Sequence, residues 1–134
     1  MKTLTHKRVL YVEDDIDDRE FFYDAMQKVH PELFITTAVS GAAAFEYLKE
    51  AAARNDLPSL MVLDINLPIF DGKELMKKLK ADPALQKLPV VVFTSSESPA
   101  DKEWAEGLGL SLYNKPYDLA IMPTVIEDLL TYMR

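Results

Sequence analysis

A chain of 134 residues has room for about one domain, and 49% hydrophobic with 28% charged residues is the composition of an ordinary globular chain long enough to bury a core. It has no cysteine, which removes disulfides, thiolate metal sites and cysteine nucleophiles together and agrees with a reducing compartment. The 15 Lys+Arg against 22 Asp+Glu leave a net charge of −7, which disfavours non-specific contact with a phosphate backbone, and no apolar run approaches the roughly 20 residues of a membrane span.

The N-terminus, Met1 to Arg8, is basic but has no long apolar stretch behind it, since Val9–Val12 runs straight into Glu13. No signal peptide is read there, and the expected location is cytoplasmic. Residues 1–7 read as a short lead into a single domain covering 1–134.

From Val9 onward, apolar runs alternate with helical patterns. Val9–Val12 is a first strand. Asp17 to His30 reads as a helix, with Phe22, Ala25, Met26 and Val29 on one face, Asp17 and Glu20 as a capping box and Pro31 as its stop. Phe34 to Val39 is a second β-like run. Ser40 caps a helix from about Gly41 to Arg54, with alanines and Leu48 inward. Leu60–Leu63 is a third run, stopping at Asp64. Lys73 to Lys80 is helical, with Leu75, Met76 and Leu79 on one side, and Asp82-Pro83 closes it. Val90–Phe93 ends at Thr94. Ser98, Pro99 and Asp101 start another helix, which stops near Gly107 or Gly109. Ser111–Asn114 is a weaker fifth strand, ending at Lys115-Pro116. The last helix carries Val125, Ile126, Leu129 and Met133, with Pro123 in its first turn.

Five strands alternating with five helices predict an α/β fold, a parallel sheet covered on both faces. Strands buried on both sides need not alternate polar and apolar residues, and right-handed crossovers make the sheet doubly wound. No repeat, low-complexity segment or linker divides the chain, so no output module is expected within it.

In such a sheet, ligands bind beyond the carboxyl ends of the strands. Glu13, Asp14 and Asp15 follow the first strand, Asp64 the third, Thr94, Ser95 and Ser96 the fourth, and Lys115 the fifth. Converging carboxylates repel and titrate as a coupled set. A magnesium ion, which takes hard oxygen ligands and pairs one or two carboxylates with a phosphate, resolves the repulsion. A lysine and a hydroxyl remain for the other oxygens of a phosphoryl group, and an aspartate is a competent nucleophile toward one.

At these positions the chain resembles a known family. Val12-Glu13-Asp14-Asp15, Leu63-Asp64-Ile65-Asn66-Leu67-Pro68, Phe93-Thr94-Ser95 and Asn114-Lys115-Pro116 are similar to the four landmarks of the response-regulator receiver domain of two-component signalling. They stand in the family's order, each at a strand end, and the resemblance covers essentially the whole chain. It implies a flavodoxin-like sheet in the order 2-1-3-4-5. It implies that Asp64 accepts a phosphoryl group from a phosphohistidine on a sensor histidine kinase or phosphotransfer protein. Asp14 and Asp64 would bind Mg2+ directly, Glu13 through water, and Asn66 through its backbone carbonyl. Thr94 would hydrogen-bond the phosphoryl group, Lys115 would pair with it, and the Lys115–Pro116 bond would be cis. Asp15 lies one residue past the acidic pair and stays outside the metal shell. Two features depart from the pattern. Leu112 stands where many receivers carry an aromatic, with Tyr113 one residue off, and Gly107-Leu108-Gly109 alters the preceding loop.

Several residues are expected to be structural. Trp104, Met26, Met61, Met76 and Met122 sit at core spacing. Lys73, Lys77, Lys78 and Lys80 read as a solvated helix face, and His6 and His30 receive no role. The resemblance therefore implies a stand-alone, Mg2+-dependent phosphoacceptor that signals through protein contacts or relays its phosphate. Its only catalysis would be slow loss of that phosphate; neither nucleic acid nor membrane is expected as a partner. Two alternatives remain. One is a pseudo-receiver that is never phosphorylated, which would lack an acid or the lysine. The other is a magnesium phosphohydrolase of the haloacid dehalogenase type, which wants a second aspartate where Asn66 stands.

Overall fold

The computed structural model describes residues 7–67 and 71–133. His6 and Pro68, the last residue of the Leu63–Pro68 motif, lie outside the described residues. The apolar runs pair as parallel strands: β1 (Arg8–Val12), β2 (Phe34–Ala38), β3 (Leu60–Leu63), β4 (Val90–Thr94) and β5 (Leu112–Asn114). They form one sheet in the order β2-β1-β3-β4-β5. Val12 lies beside Ala38 and Leu63, Leu63 beside Val92, and Thr94 beside Asn114. Parallel neighbours require crossovers, and α1 (Ile16–Val29), α2 (Gly41–Ala53), α3 (Gly72–Lys80) and α4 (Pro99–Gly107) supply them, with α5 (Met122–Leu130) last. The expected flavodoxin-like α/β fold, with its five strands in the order 2-1-3-4-5 and five helices, is the observed one.

Because side chains alternate along a strand, each strand feeds two cores. Leu10, Val12, Met61, Leu63 and Val92 pack with Ala44, Leu48, Leu75, Leu79 and Ala105, from α2, α3 and α4. Val9, Tyr11, Val62, Val91 and Phe93 pack with Phe22, Met26, Ile126 and Leu129, from α1 and α5. Within the second core Tyr11 stacks on Phe22, ring centroids 4.1 Å apart, and Phe93 closes the cluster at 6.1 Å from Phe22. The four methionines expected inside are buried, and Trp104 packs half-buried against the first core. Among the described residues no helix is long and apolar enough to cross a membrane.

Several boundaries differ from the sequence reading by a residue or more; three of the differences bear on packing. The cap of α1 is Asp15, two residues before the expected capping box; its carboxylate accepts from the Asp18 N–H at 2.9 Å. Asp15 holds an extended backbone (φ −82°, ψ 122°), and the shift leaves Asp17 and Asp18 in the first turn, where the helix dipole favours negative charge. Strand β2 ends at Ala38, and Val39 is exposed. Helix α5 ends at Leu130, so Met133 follows it, although its side chain still packs on the second core.

Two packing details carry predictions. The N-terminus of α3 presses on the loop after β3: a Cβ on Gly72 would stand 2.7 Å from the Ile65 Cα and 3.0 Å from the Asp64 carbonyl oxygen. Only a residue without a side chain fits there. Gly72→Ala is expected to cost about 1–3 kcal/mol, read as a lower urea midpoint. Separately, His30 ends α1, with Nδ1 3.0 Å from Glu32 and Nε2 3.1 Å from Glu127 of α5. The hydrogen bonds to Glu32 and Glu127 raise its pKa above the ordinary histidine value. A folded pKa above the unfolded one makes the stabilisation complete below about pH 6.5 and lost as the pH rises through the folded value. These are exposed pairs, so His30→Gln should cost up to about 1 kcal/mol at about pH 5.5 and nothing at about pH 8.5, measured by urea unfolding at both.

Candidate phosphoacceptor site

Parallel strands put all their carboxyl ends on one edge, and the register fixes which residues meet there. Val12 and Leu63 are partners, so the residues that follow them, Glu13 and Asp64, come side by side. Thr94 ends β4 beside Asn114, and Lys115 comes next, its N–H donating to the Thr94 carbonyl at 2.9 Å. Glu13, Asp64 and Thr94 are the buried polar side chains among the described residues, 1%, 4% and 0% exposed. Burying polar groups costs free energy unless each finds a partner, and all three do.

The Lys115 ammonium supplies most of that pairing. It donates to a Glu13 carboxylate oxygen, to Asp64 Oδ2 at 2.9 Å and to Asp18 Oδ2 at 2.7 Å. Glu13 also accepts from the Tyr11 hydroxyl at 3.3 Å and the Asp15 N–H at 3.2 Å. Asp64 Oδ1 accepts from the Asn66 N–H at 3.0 Å. The Thr94 hydroxyl accepts from the Ser96 N–H at 3.2 Å and the Asn66 side-chain amide at 3.4 Å. The Asn114 amide donates to the Ser96 and Thr94 carbonyls at 2.6 and 3.3 Å, fixing the loop after β4 against β5. Arg19 fixes the loop after β1, donating to the carbonyls of Glu13 and Asp14 at 3.0 Å each.

The charges are unequal in consequence. Burial drives the Glu13 carboxyl above the usual carboxylate range; Lys115 opposes this and the Asp64 charge reinforces it. Burial pushes Asp64 the same way, but Lys115 and the Asn66 N–H outweigh it and hold Asp64 below its ordinary value. Burial works against the Lys115 charge, and Asp18, Glu13 and Asp64 together raise its pKa regardless. The carboxylate crowding foreseen from the sequence therefore falls on Glu13, while Asp64 stays ionised.

Glu13, Asp64, Asn66, Thr94 and Lys115 are brought together as the sequence reading placed them. Asp14 is not drawn in: its side chain is exposed and makes no hydrogen bond with a described residue. Among the described residues, no three acidic or histidine side chains form a group that could hold a metal. The donor chemistry nevertheless fits a hard cation: the Asp14 and Asp64 carboxylates, the Asn66 carbonyl and the Glu13 carboxyl are all oxygen donors, and the buried Glu13 charge is only partly offset by Lys115. The Lys115–Pro116 bond is trans, not cis; no described peptide bond is cis. An X–Pro bond favours trans by about 0.5–1 kcal/mol, and from it the ammonium reaches all three carboxylates. Asp18, Arg19, Tyr11 and Gly72 were not singled out from the sequence. Asp18 carried a signal, standing one turn ahead of Phe22 on the inward stripe of α1.

Comparison with known proteins agrees with the geometry. The response regulator receiver domain model matches residues 9–127. Response regulator Rcp1 of Synechocystis sp. is 33% identical over 97 residues, covering 71% of this chain and 66% of Rcp1. The polar-differentiation response regulator DivK of Brucella ovis is 31% identical over 128 residues, 95% of this chain and 96% of DivK. Among solved structures, the phosphorylated cyanobacterial phytochrome response regulator RcpA superposes with a TM-score of 0.85 at 27% identity, covering 96% of this chain and 94% of RcpA. The Mn2+-bound form of Rcp1 superposes with a TM-score of 0.80 at 26% identity, covering 93% and 92%. Four strand-end motifs meeting at one sheet edge, and a family match running almost end to end, lead to one conclusion: this chain belongs to the response-regulator receiver-domain family.

Proposed function

We propose that this chain is a phosphoacceptor, taking a phosphoryl group onto Asp64 from a phosphohistidine of a sensor histidine kinase or phosphotransfer protein. The observation that carries the reading is the Lys115 ammonium lodged between the two buried carboxylates, Glu13 and Asp64. An oxygen of Asp64 forms the P–O bond as the P–N bond to the donor imidazole breaks, and the imidazole keeps the electron pair. Low basicity suits Asp64 to this role, because the acceptor must be ionised. Lys115 then donates to a phosphoryl oxygen in place of the esterified carboxylate. The Thr94 proton goes to no described acceptor, so its hydroxyl is free to donate to the phosphoryl group. Asp14, Asp64 and the Asn66 carbonyl would hold Mg2+, with Glu13 reaching it through water, and a cation held there would supply charge neutralisation for the phosphoryl oxygens. That the response regulator Rcp1 has been solved in a Mn2+-bound form supports the binding of a divalent ion. The signal would leave through phosphorylation-dependent protein contact or onward transfer of the phosphate. Asn66, standing where a phosphohydrolase wants an acid, offers no proton for turnover on small phosphoesters.

Acetyl phosphate with millimolar Mg2+ should add one phosphoryl group to the wild type, seen by intact mass spectrometry. Asp64→Asn should show no such gain while keeping its circular dichroism; labelling of this variant would reject the acceptor. A second expectation concerns Lys115→Met, which strands two buried carboxylates. It should lose about 3–5 kcal/mol of stability without metal, and adding Asp64→Asn should recover part of that loss in urea titrations.

A further inference from the structure

An ammonium has three N–H donors and no acceptor. The described partners of Lys115 Nζ are three carboxylates: Glu13, Asp18 and Asp64. Glu13 and Asp64 are the buried pair that a divalent cation and a phosphoryl group would engage. Asp18 differs from them in every respect that matters. It comes from α1 and not from a strand end, its side chain is 38% exposed, and it belongs to none of the four motifs. Its own N–H is held by the Asp15 cap at 2.9 Å, which fixes its place in the first turn. Among the described residues the contact with Lys115 is the one hydrogen bond its carboxylate makes beyond its own helix turn.

We propose that Asp18 is a positioning residue, the standing counter-ion that keeps the Lys115 ammonium on the α1 side of the site when Glu13 and Asp64 turn to a divalent cation. The inference rests on the phosphoacceptor reading above. An ammonium and a divalent cation repel each other and compete for the same carboxylate oxygens. With Asp18 in place, one of the three ammonium donors is satisfied by a carboxylate that the cation does not need, and its negative charge lies 2.7 Å from Nζ. Without it, Lys115 has only Glu13 and Asp64 to bind, and it holds them against the cation. Asp17 provides the control. It is the neighbouring acid on the same turn, it is exposed, and its side chain makes no hydrogen bond or ion pair with a described residue. Asp17→Asn removes the same charge from the region without touching Lys115.

The test is Mg2+ affinity, measured by calorimetry on the unphosphorylated chain, so that it reads the site without its activity. Asp18→Asn should weaken binding about tenfold, the range found when a partner of a ligating side chain is removed. Asp17→Asn should change it less than about twofold, because an exposed, unpaired charge acts on the site only through water, where the high dielectric and salt weaken it. Asp18→Glu should restore most of the affinity. Asp18→Ser is carried in parallel, so that a folding defect peculiar to one variant is recognised by its absence in the other. The ammonium hydrogens of Lys115, followed by NMR in the metal-free chain, should exchange slowly in the wild type and rapidly in Asp18→Asn. Equal effects of Asp17→Asn and Asp18→Asn would reduce Asp18 to a general field and overturn the proposal. A wild type that binds Mg2+ and accepts phosphate, with an affinity indifferent to Asp18→Asn, overturns it while leaving the phosphoacceptor reading intact. A wild type that does neither overturns both.

Discussion

The ammonium of Lys115 is the interaction on which this site depends. Two carboxylates, Glu13 and Asp64, are almost completely removed from solvent at the end of the sheet, where an unpaired charge would cost several kcal/mol. The lysine comes from a loop far along the chain and meets both of them. That meeting requires the parallel register that sets β1 beside β3, β3 beside β4 and β4 beside β5. A slip of one residue in any strand would turn its terminal polar residue to the opposite face. The charge pairing and the sheet therefore specify each other.

Strand parity explains why the site has two sides. Glu13, Asp64 and Lys115 follow the parity of Tyr11, Val62 and Tyr113, residues of the core shared with α1 and α5. This is the side on which α1 can offer Asp18, and where the Tyr11–Phe22–Phe93 ring cluster packs beneath Glu13. Thr94 has the parity of Val92 and Leu112, residues of the core shared with α2, α3 and α4. From Thr94 a polar chain leads outward on that side. Ser96 bonds the Thr94 hydroxyl through its N–H and Asp101 through its hydroxyl, and Asp101 pairs with Lys73 of α3 at 2.7 Å. Lys73 in turn lies 5.6 Å from the Trp104 ring centre. The starts of α3 and α4 are thus tied to the Thr94 hydroxyl, while Tyr113 is occupied with Tyr132 on the opposite face, their hydroxyls 3.1 Å apart.

The basic face of α3 shows the same economy of means. Lys73 is half-buried and paired, and Lys78 lies over the Phe45 ring at 5.8 Å. Lys77 and Lys80 sit exposed in the last turn, where cations suit the helix dipole. A face that reads as uniformly solvated in the sequence is divided in the folded chain, because α4 and α2 approach two of its four lysines.

What the sequence by itself determined is the class of fold and the identity of the central side chains. Apolar runs located the five strands and helical periodicity the five α-helices, since burial on both strand faces or on one helical face imposes a pattern that composition cannot hide. The position of Asp64, Thr94 and Lys115 immediately after apolar runs sufficed to place them on one edge, because parallel strands all end there. The partners of those residues were decided by tertiary structure. Arg19 looks like an ordinary surface charge at a helix start, and Asp18 shows only that it lies on the inward stripe of α1; the packing of α1 against the sheet brings one to the loop carbonyls and the other to Lys115. Gly72 is one glycine among four until α3 is laid against Ile65. The sequence reading put the cap of α1 at Asp17, within a run of five residues containing four aspartates, Asp14 to Asp18, and the path of the chain leaving β1 selected Asp15 instead. Local patterns record which residues must be buried or capped; distances between charges depend on how the layers pack, and no local pattern encodes that.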